Sequence, residues 1–194
     1  PTRRSSDLFS PSNLLDILDQ SVINGLLAIG MTLVIITAGI DLTVGSTLAI
    51  VIVSVGNFLV MGLNPFAAVL AGAAIGFGLG LVNGILVAKM KLQPFVATLG
   101  MMSVYRGVAY LITGGWPVLN IPQNFRDIMD GDVIGTLSSS MILFLVVTVA
   151  AYILLKHTKF GTYLYSIGSN EEATRLSGVN VDFNKIIDRK STRL

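Results

Sequence analysis

The sequence predicts an all-α, polytopic membrane protein with about five transmembrane helices and one short cytoplasmic helix near the C-terminal end. Apolar residues make up 53% of the 194 positions and charged ones 12%, with a mean hydropathy of +0.76, a balance found in membrane proteins and not in soluble domains. Apolar runs long enough to cross roughly 30 Å of hydrocarbon recur between short polar breaks. A polar island, Ser166–Val181, follows the last of these runs.

The chain has no cysteine, which excludes disulfides and thiolate metal sites, and its single histidine, His157, stands in a basic flank beside Lys156 and Lys159. Pro1–Leu8 (PTRRSSDL) and Asp188–Leu194 (DRKSTRL) resemble in-frame translations of the adapters ligated to DNA for short-read sequencing. Both are expected to be non-native, leaving residues 9–187 as a fragment of a longer natural protein. Without Arg3, Arg4, Asp7, Asp188, Arg189, Lys190 and Arg193 the formal charge of +2 becomes −1. The basic balance then gives no ground for nucleic acid as a partner.

Phe9–Gln20 predicts a short interfacial helix capped at Asn13, with Leu14, Leu15, Ile17 and Leu18 on one face. Ser21–Gly39 is the first span. Gly39–Ser46 (GIDLTVGS) breaks the apolar run, and Thr47–Leu63 resumes it as the second span. Asp41 is the costly residue of that break, and two readings stay open. It is either a carboxylate at membrane depth, facing a cavity or partner, or a cap in water where Gly39 and Gly45 turn the chain. Such glycine-flanked breaks are also where transporters expose backbone to a path.

Asn64 and Pro65 make a turn, and Phe66–Ala88 is the third span. Its Gly72, Gly76, Gly80 and Gly84 recur every fourth residue and, with Ala68, make one face smooth enough for close helix packing. Asn83, beside that row, is suited to bonding across helices. Lys89 and Lys91 form a cytoplasmic loop by the positive-inside rule. Pro94–Ile112 is the fourth span, carrying Thr98, Ser103, Tyr105 and Arg106, whose long stem either snorkels or reaches a polar cavity. Thr113–Ser140, with Asp127, Asp130 and Asp132 and interfacial Trp116, lies outside. Met141–Leu155, extending back as far as Val133, is the fifth span and returns to the cytoplasm at Lys156.

Within Ser166–Val181 the spacing predicts one short helix. Ser169 and Glu172 have capping-box spacing, Glu171 and Glu172 place negative charge in the first turn, and Gly178 stands where a left-handed terminator belongs. Ala173, Leu176 and Val179 form its apolar stripe. So short a helix is marginal alone and needs a surface to lie against.

No GxxxxGK[ST], GxSxG or HExxH pattern occurs, so nucleotide, serine-hydrolase and zinc chemistry find no residues here. The remaining rivals are an ion-coupled secondary transporter using Asp41 and a purely structural membrane subunit.

Asn24–Ile35 (NGLLAIGMTLVI), Gly39–Ser46, Pro94–Gly107 (PFVATLGMMSVYRG) and Gly161–Val181 together resemble the permease subunits of ribose-type sugar importers. These belong to the family of ATP-binding-cassette permeases that also carries branched-chain amino acids. The likeness spans nearly all of Phe9–Ile187 and departs at Gly25, where alanine is commoner. It implies a bacterial inner-membrane subunit that pairs with a second copy, receives a monosaccharide from an extracytoplasmic binding protein, and is driven by separate cytoplasmic ATPases. A branched-chain amino acid permease of the same family is the alternative.

On that likeness Asn170, Glu171, Glu172, Ala173, Thr174, Arg175, Leu176 and Gly178 match the coupling helix that docks on the ATPase. Asp41, Thr43, Asn83, Thr98 and Arg106 are candidates for the translocation path or its gating, and the glycine row for helix packing. No catalytic residue, cofactor or metal is expected, and a chain ending at Ile187 is expected to lack spans of the full permease.

Overall fold

A computed structural model describes residues 10–130, 132–134 and 137–191. Pro1–Leu8 and the last residues of Asp188–Leu194, from 192 on, lie outside the described residues. In order the elements are α1 (Pro11–Ile36), α2 (Val44–Val60), α3 (Pro65–Ala88), α4 (Pro94–Thr113), α5 (Gln123–Asp130), β1 (Asp132–Ile134), β2 (Leu137–Ser138), α6 (Ser139–His157), α7 (Lys159–Ser169), α8 (Glu171–Leu176) and α9 (Val181–Ser191). Four of these, α1, α3, α4 and α6, are long and apolar enough to cross a membrane, and α2 is a shorter apolar helix of 17 residues. At 1.5 Å per residue α2 reaches about 25 Å, so the break before it has to lie within membrane depth if α2 is to span.

The helix starts follow from local chemistry. Pro65 and Pro94 occupy first-turn positions, where a missing N–H costs nothing, and Asn64 Oδ1 accepts from Phe66 N at 2.9 Å. The expected division of the first region into an interfacial helix and a separate span is corrected: α1 is continuous. No proline or glycine separates Gln20 from Ser21, and the Ser21 hydroxyl is satisfied within the helix by Ile17 O at 2.8 Å. The cap is Ser10, whose Oγ accepts from Asn13 N, and not Asn13 itself.

The second span also moves: it is Val44–Val60 and not Thr47–Leu63. Gly62, at φ +86°, turns the chain before Leu63. The fifth span starts at Ser139, because Val133 belongs to β1, which pairs antiparallel with β2 through Asp132↔Ser138 and Ile134↔Leu137. Helices α7 and α9 were not foreseen. Both are short and half-polar, and α9 extends to Ser191, into the stretch expected to be non-native.

In the bundle α2 packs on both α3 and α4, α9 lies along α3, and α1 packs on α6. Ala68, Gly72, Gly76, Gly80 and Gly84 are all buried on one face of α3. A Cβ on Gly72 would overlap Val55 Cγ2 of α2, and one on Gly84 would stand 3.3 Å from Ile186 Cα of α9. One smooth face therefore serves two neighbours. Gly25 has a similar reason: a Cβ there would lie 2.6 Å from the Phe144 ring, so an alanine at this position would require Phe144 to shift. Helix α6 has no buried residue, as expected of a helix whose solvent is lipid.

Gly72→Val should push α2 off α3 and destabilise the fold by about 1–3 kcal/mol, the usual cost of overpacking. Gly78→Ala, which meets open space, should leave the melting temperature of the detergent-extracted protein unchanged.

Candidate functional site

At the end of the bundle that carries Lys89 and Lys91, the break between α1 and α2 is held by buried polar groups. Helix α1 ends with Ala38 in the left-handed region at φ +54°, its N–H donating to Ile35 O and that of Gly39 to Val34 O. These are the paired bonds of a Schellman terminator, with alanine where glycine is usual. The turn thus falls on Ala38, and Gly45 lies inside the first turn of α2. Asp41 follows, 2% exposed, and its Oδ1 accepts from Thr43 N at 2.9 Å and from Thr43 Oγ1 at 2.7 Å. The carboxylate closes an Asx-type turn on Thr43, the N-cap residue of α2, whose own side chain makes no capping bond. It does so from inside the protein, so the reading of Asp41 as a cap in water is corrected.

Thr43 passes the link onward. Asn83 Nδ2 donates to Thr43 Oγ1 at 2.7 Å, and the Tyr105 hydroxyl lies 3.1 Å from Asn83 Oδ1 and 2.9 Å from Leu79 O. Thr43, Asn83 and Tyr105 are all buried. Asn83 comes within reach because the glycines beside it let α3 approach α2, and Tyr105 because helical side chains lean toward the N-terminal end of their own helix. Thr98, fully buried, donates to Pro94 O at 2.7 Å and reaches Ile40 O at 3.4 Å. Of the path candidates, then, Asp41, Thr43 and Asn83 are joined directly, and Thr98 closes on the same segment. Arg106 is exposed and stands apart from them. Tyr105 belongs to the cluster although its spacing did not single it out; the signal was a phenol in an otherwise apolar run.

The second candidate region is α8. Its N-cap is Asn170, in extended backbone, whose Oδ1 accepts from Ala173 N at 2.9 Å. The expected cap at Ser169 is corrected, because Ser169 is the last residue of α7 and asparagine at the next position makes the same bond one residue later. Glu171 and Glu172 occupy the first turn. Gly178, at φ +83°, closes the helix with bonds from Gly178 N to Arg175 O and from Val179 N to Thr174 O.

The apolar stripe faces away from the rest of this chain. Thr174 is the buried residue, its hydroxyl satisfied by Asn170 O at 2.7 Å, while Ala173 is exposed and Leu176 is 84% exposed. The charged side chains bind α8 to α9. Arg175 pairs with Glu171 at 3.4 Å and with Asp182 at 3.1 Å, and Lys185 with Glu171 at 2.6 Å. The hydrogen bond from Lys185, against a smaller opposing effect of partial burial and with help from Arg175, holds the Glu171 carboxyl below the usual glutamate range. Between α8–α9 and the α3–α4 loop runs a groove of about 660 Å³, with Ala88, Lys91 and Pro94 on one wall and Glu172, Arg175 and Lys185 on the other. No group of three or more metal-ligating side chains occurs among the described residues.

The family model described as the permease component of branched-chain amino acid transport systems matches residues 13–187. The ribose import permease protein RbsC of Escherichia coli (strain K12) is 41% identical over 186 residues, covering 94% of this chain and 58% of that protein. RbsC of Bacillus subtilis (strain 168) is 40% identical over 179 residues, 91% of this chain and 55% of the relative. The galactofuranose transporter permease protein YtfT of E. coli (strain K12) is 39% identical over 166 residues, 86% of this chain and 48% of the relative. The chain thus spans about half the length of these relatives. No solved structure matches it. With these bacterial relatives and its four apolar helices of spanning length, the chain is a multi-pass protein of the bacterial inner membrane, and it belongs to the branched-chain amino acid transport system permease family.

Proposed function

We propose that the chain is part of the membrane permease of an ATP-driven importer that moves a monosaccharide of the ribose kind, delivered by an extracytoplasmic binding protein. A sugar is favoured over a branched-chain amino acid because the relatives named above are sugar permeases, two of them for ribose. ATP is hydrolysed on a separate cytoplasmic ATPase, and the permease works as a pair of copies.

The observation that carries this reading is the orientation of α8: both ends are capped, Thr174 faces inward, and Ala173 and Leu176 are presented outward. Exposed apolar residues on a pre-formed helix at the basic end suit docking on another protein, since little ordering cost remains to be met on binding. Asn170–Leu176, with Gly178, is the coupling element in this reading. Asp41, Thr43, Asn83 and Thr98 hold the wall of the translocation path, and Arg106 lies on a separate face open to lipid, cargo or the second copy.

A cysteine in place of Leu176, in the full-length permease co-expressed with its ATPase, should crosslink to that ATPase. An ion-coupled transporter would give no such product, and its uptake would follow an ion gradient instead of ATP. Glu172→Ala combined with Gly178→Val should leave ATP hydrolysis running while sugar uptake falls by an order of magnitude or more, read as moles of sugar carried per ATP. Asp41→Ala, which removes the acceptor of both Thr43 bonds, should cut uptake more than membrane insertion, measured by transport assay and immunoblot of the membrane fraction.

The lowered Glu171 carboxyl fixes a direction with pH. Its folded value lies below its unfolded one, so its support of α8 is complete above the ordinary glutamate range and fades as pH falls through the depressed value. The pairs are about half exposed, so each contributes only about 0.2–1 kcal/mol. A nitroxide at Leu176 should become more mobile on acidification in the parent, and Glu171→Gln should remove that pH dependence.

A further inference from the structure

Thr47 lies one turn along α2 from Thr43, on the same face, and is 3% exposed. A threonine inside a helix usually returns its hydroxyl proton to the carbonyl four residues back, as Thr32 and Thr148 do to Ala28 O and Phe144 O. For Thr47 that carbonyl belongs to Thr43, and it already accepts from Thr47 N at 2.8 Å and from Ser46 Oγ at 2.9 Å. Both of its lone pairs are used. Thr47 Oγ1 has no hydrogen-bond partner among the described residues.

Spare bonding capacity lies across the α2–α3 contact too. Asn83, 1% exposed, donates one N–H to Thr43 Oγ1 and accepts at Oδ1 from Tyr105. A carboxamide has two N–H groups and two acceptor lone pairs, so one of each is unspent. A buried hydroxyl without a partner is destabilising, and a single molecule that both gives and accepts hydrogen bonds would relieve Thr47 and Asn83 together. The capacity on offer is small, neutral and of both kinds, which suits a hydroxyl group.

We propose that the α2–α3 contact binds one buried water, held by Thr47 Oγ1 and the Asn83 side chain as a further member of the Asp41–Thr43–Asn83–Tyr105 network. The water makes this a wet point of the contact. A change in the crossing of α2 and α3 would then exchange bonds through the water instead of stranding Thr43 or Asn83. A hydroxyl of a passing sugar offers the same chemistry, and the experiment separates the two.

X-ray footprinting of the full-length permease in lipid nanodiscs, without sugar, generates hydroxyl radicals from bound water where they stand. Tyr105, 3% exposed and bonded to Asn83, should be oxidised in the parent and several-fold less in Thr47→Val. Thr47→Val should also melt about 2–4 °C lower, while Thr47→Ser keeps both the labelling and the melting temperature. A Tyr105 that is unlabelled in the parent overturns the proposal, whether or not Thr47→Val folds. A Thr47→Val protein that melts at or above the parent overturns it too, because the change would then only have removed an unpaired hydroxyl. Labelling that appears only when ribose is added assigns the site to cargo and overturns the water.

Discussion

The chain breaks its helix inside the bundle, and the groups around the break satisfy what this exposes. Between Ile36 and Val44 the backbone leaves the helical hydrogen-bond ladder, and its buried polar groups have to find partners within the protein. The Schellman bonds at Ala38 and Gly39 settle the end of α1, Asp41 settles the start of α2, and Thr98 reaches the carbonyl of Ile40. Asp41 is itself buried, and Thr43 and Asn83 carry its bonding outward to Tyr105 on α4. Lipid tails are as apolar as leucine, so apolar contact alone does little to choose neighbours among these helices. The polar links and the close approach allowed by Gly72 and its row decide that α2 lies between α3 and α4.

What could be read from the residues was whatever a single position dictates. Asn64 before Pro65, Pro94 opening α4 and Gly178 in the left-handed region each act through their own backbone or side chain, and each stands where the sequence puts it. What could not be read depended on competition between adjacent positions. Ser169 and Asn170 are both good caps, and only the extent of α7 decides between them. Over six residues a helical stripe cannot separate Thr174 from Leu176, and the polar residue is the buried one because Asn170 O satisfies its hydroxyl. The left-handed turn at Ala38 was hidden in the same way. Gly39 is the residue that favours it, but the length of α1 places the turn one position earlier, at a cost of about 1–2 kcal/mol.

The cluster was only half legible for a related reason. Asp41 and Asn83 stand out as polar groups in apolar runs, but a tyrosine in a span is more often an interfacial anchor than a core hydrogen-bond donor. Tyr105 is assigned by where α4 sits against α3, and that follows from the glycine row, which by itself names no partner.

The surface helix invites the idea that its ion pairs set its position, and the magnitudes argue otherwise. The bonds from Glu171 and Arg175 to α9 are half exposed, worth a few tenths of a kcal/mol to about 1 each, and weaken with salt. The steric contacts around them do not. Gly161 packs against the carbonyl of Leu155, Gly168 against that of Ile36, and Gly84 against the backbone of Ile186, and in each case an added Cβ meets main chain, which cannot rotate away. Helix α7 is thereby fixed to the ends of α6 and α1, and α9 to α3, with α8 suspended between them. A load applied at Ala173 or Leu176 reaches three spans through rigid backbone contacts, while the ion pairs only limit how far α8 rocks. In the proposed reading of α8 as a coupling element, stiffness at its two anchors matters more than the strength of its charges.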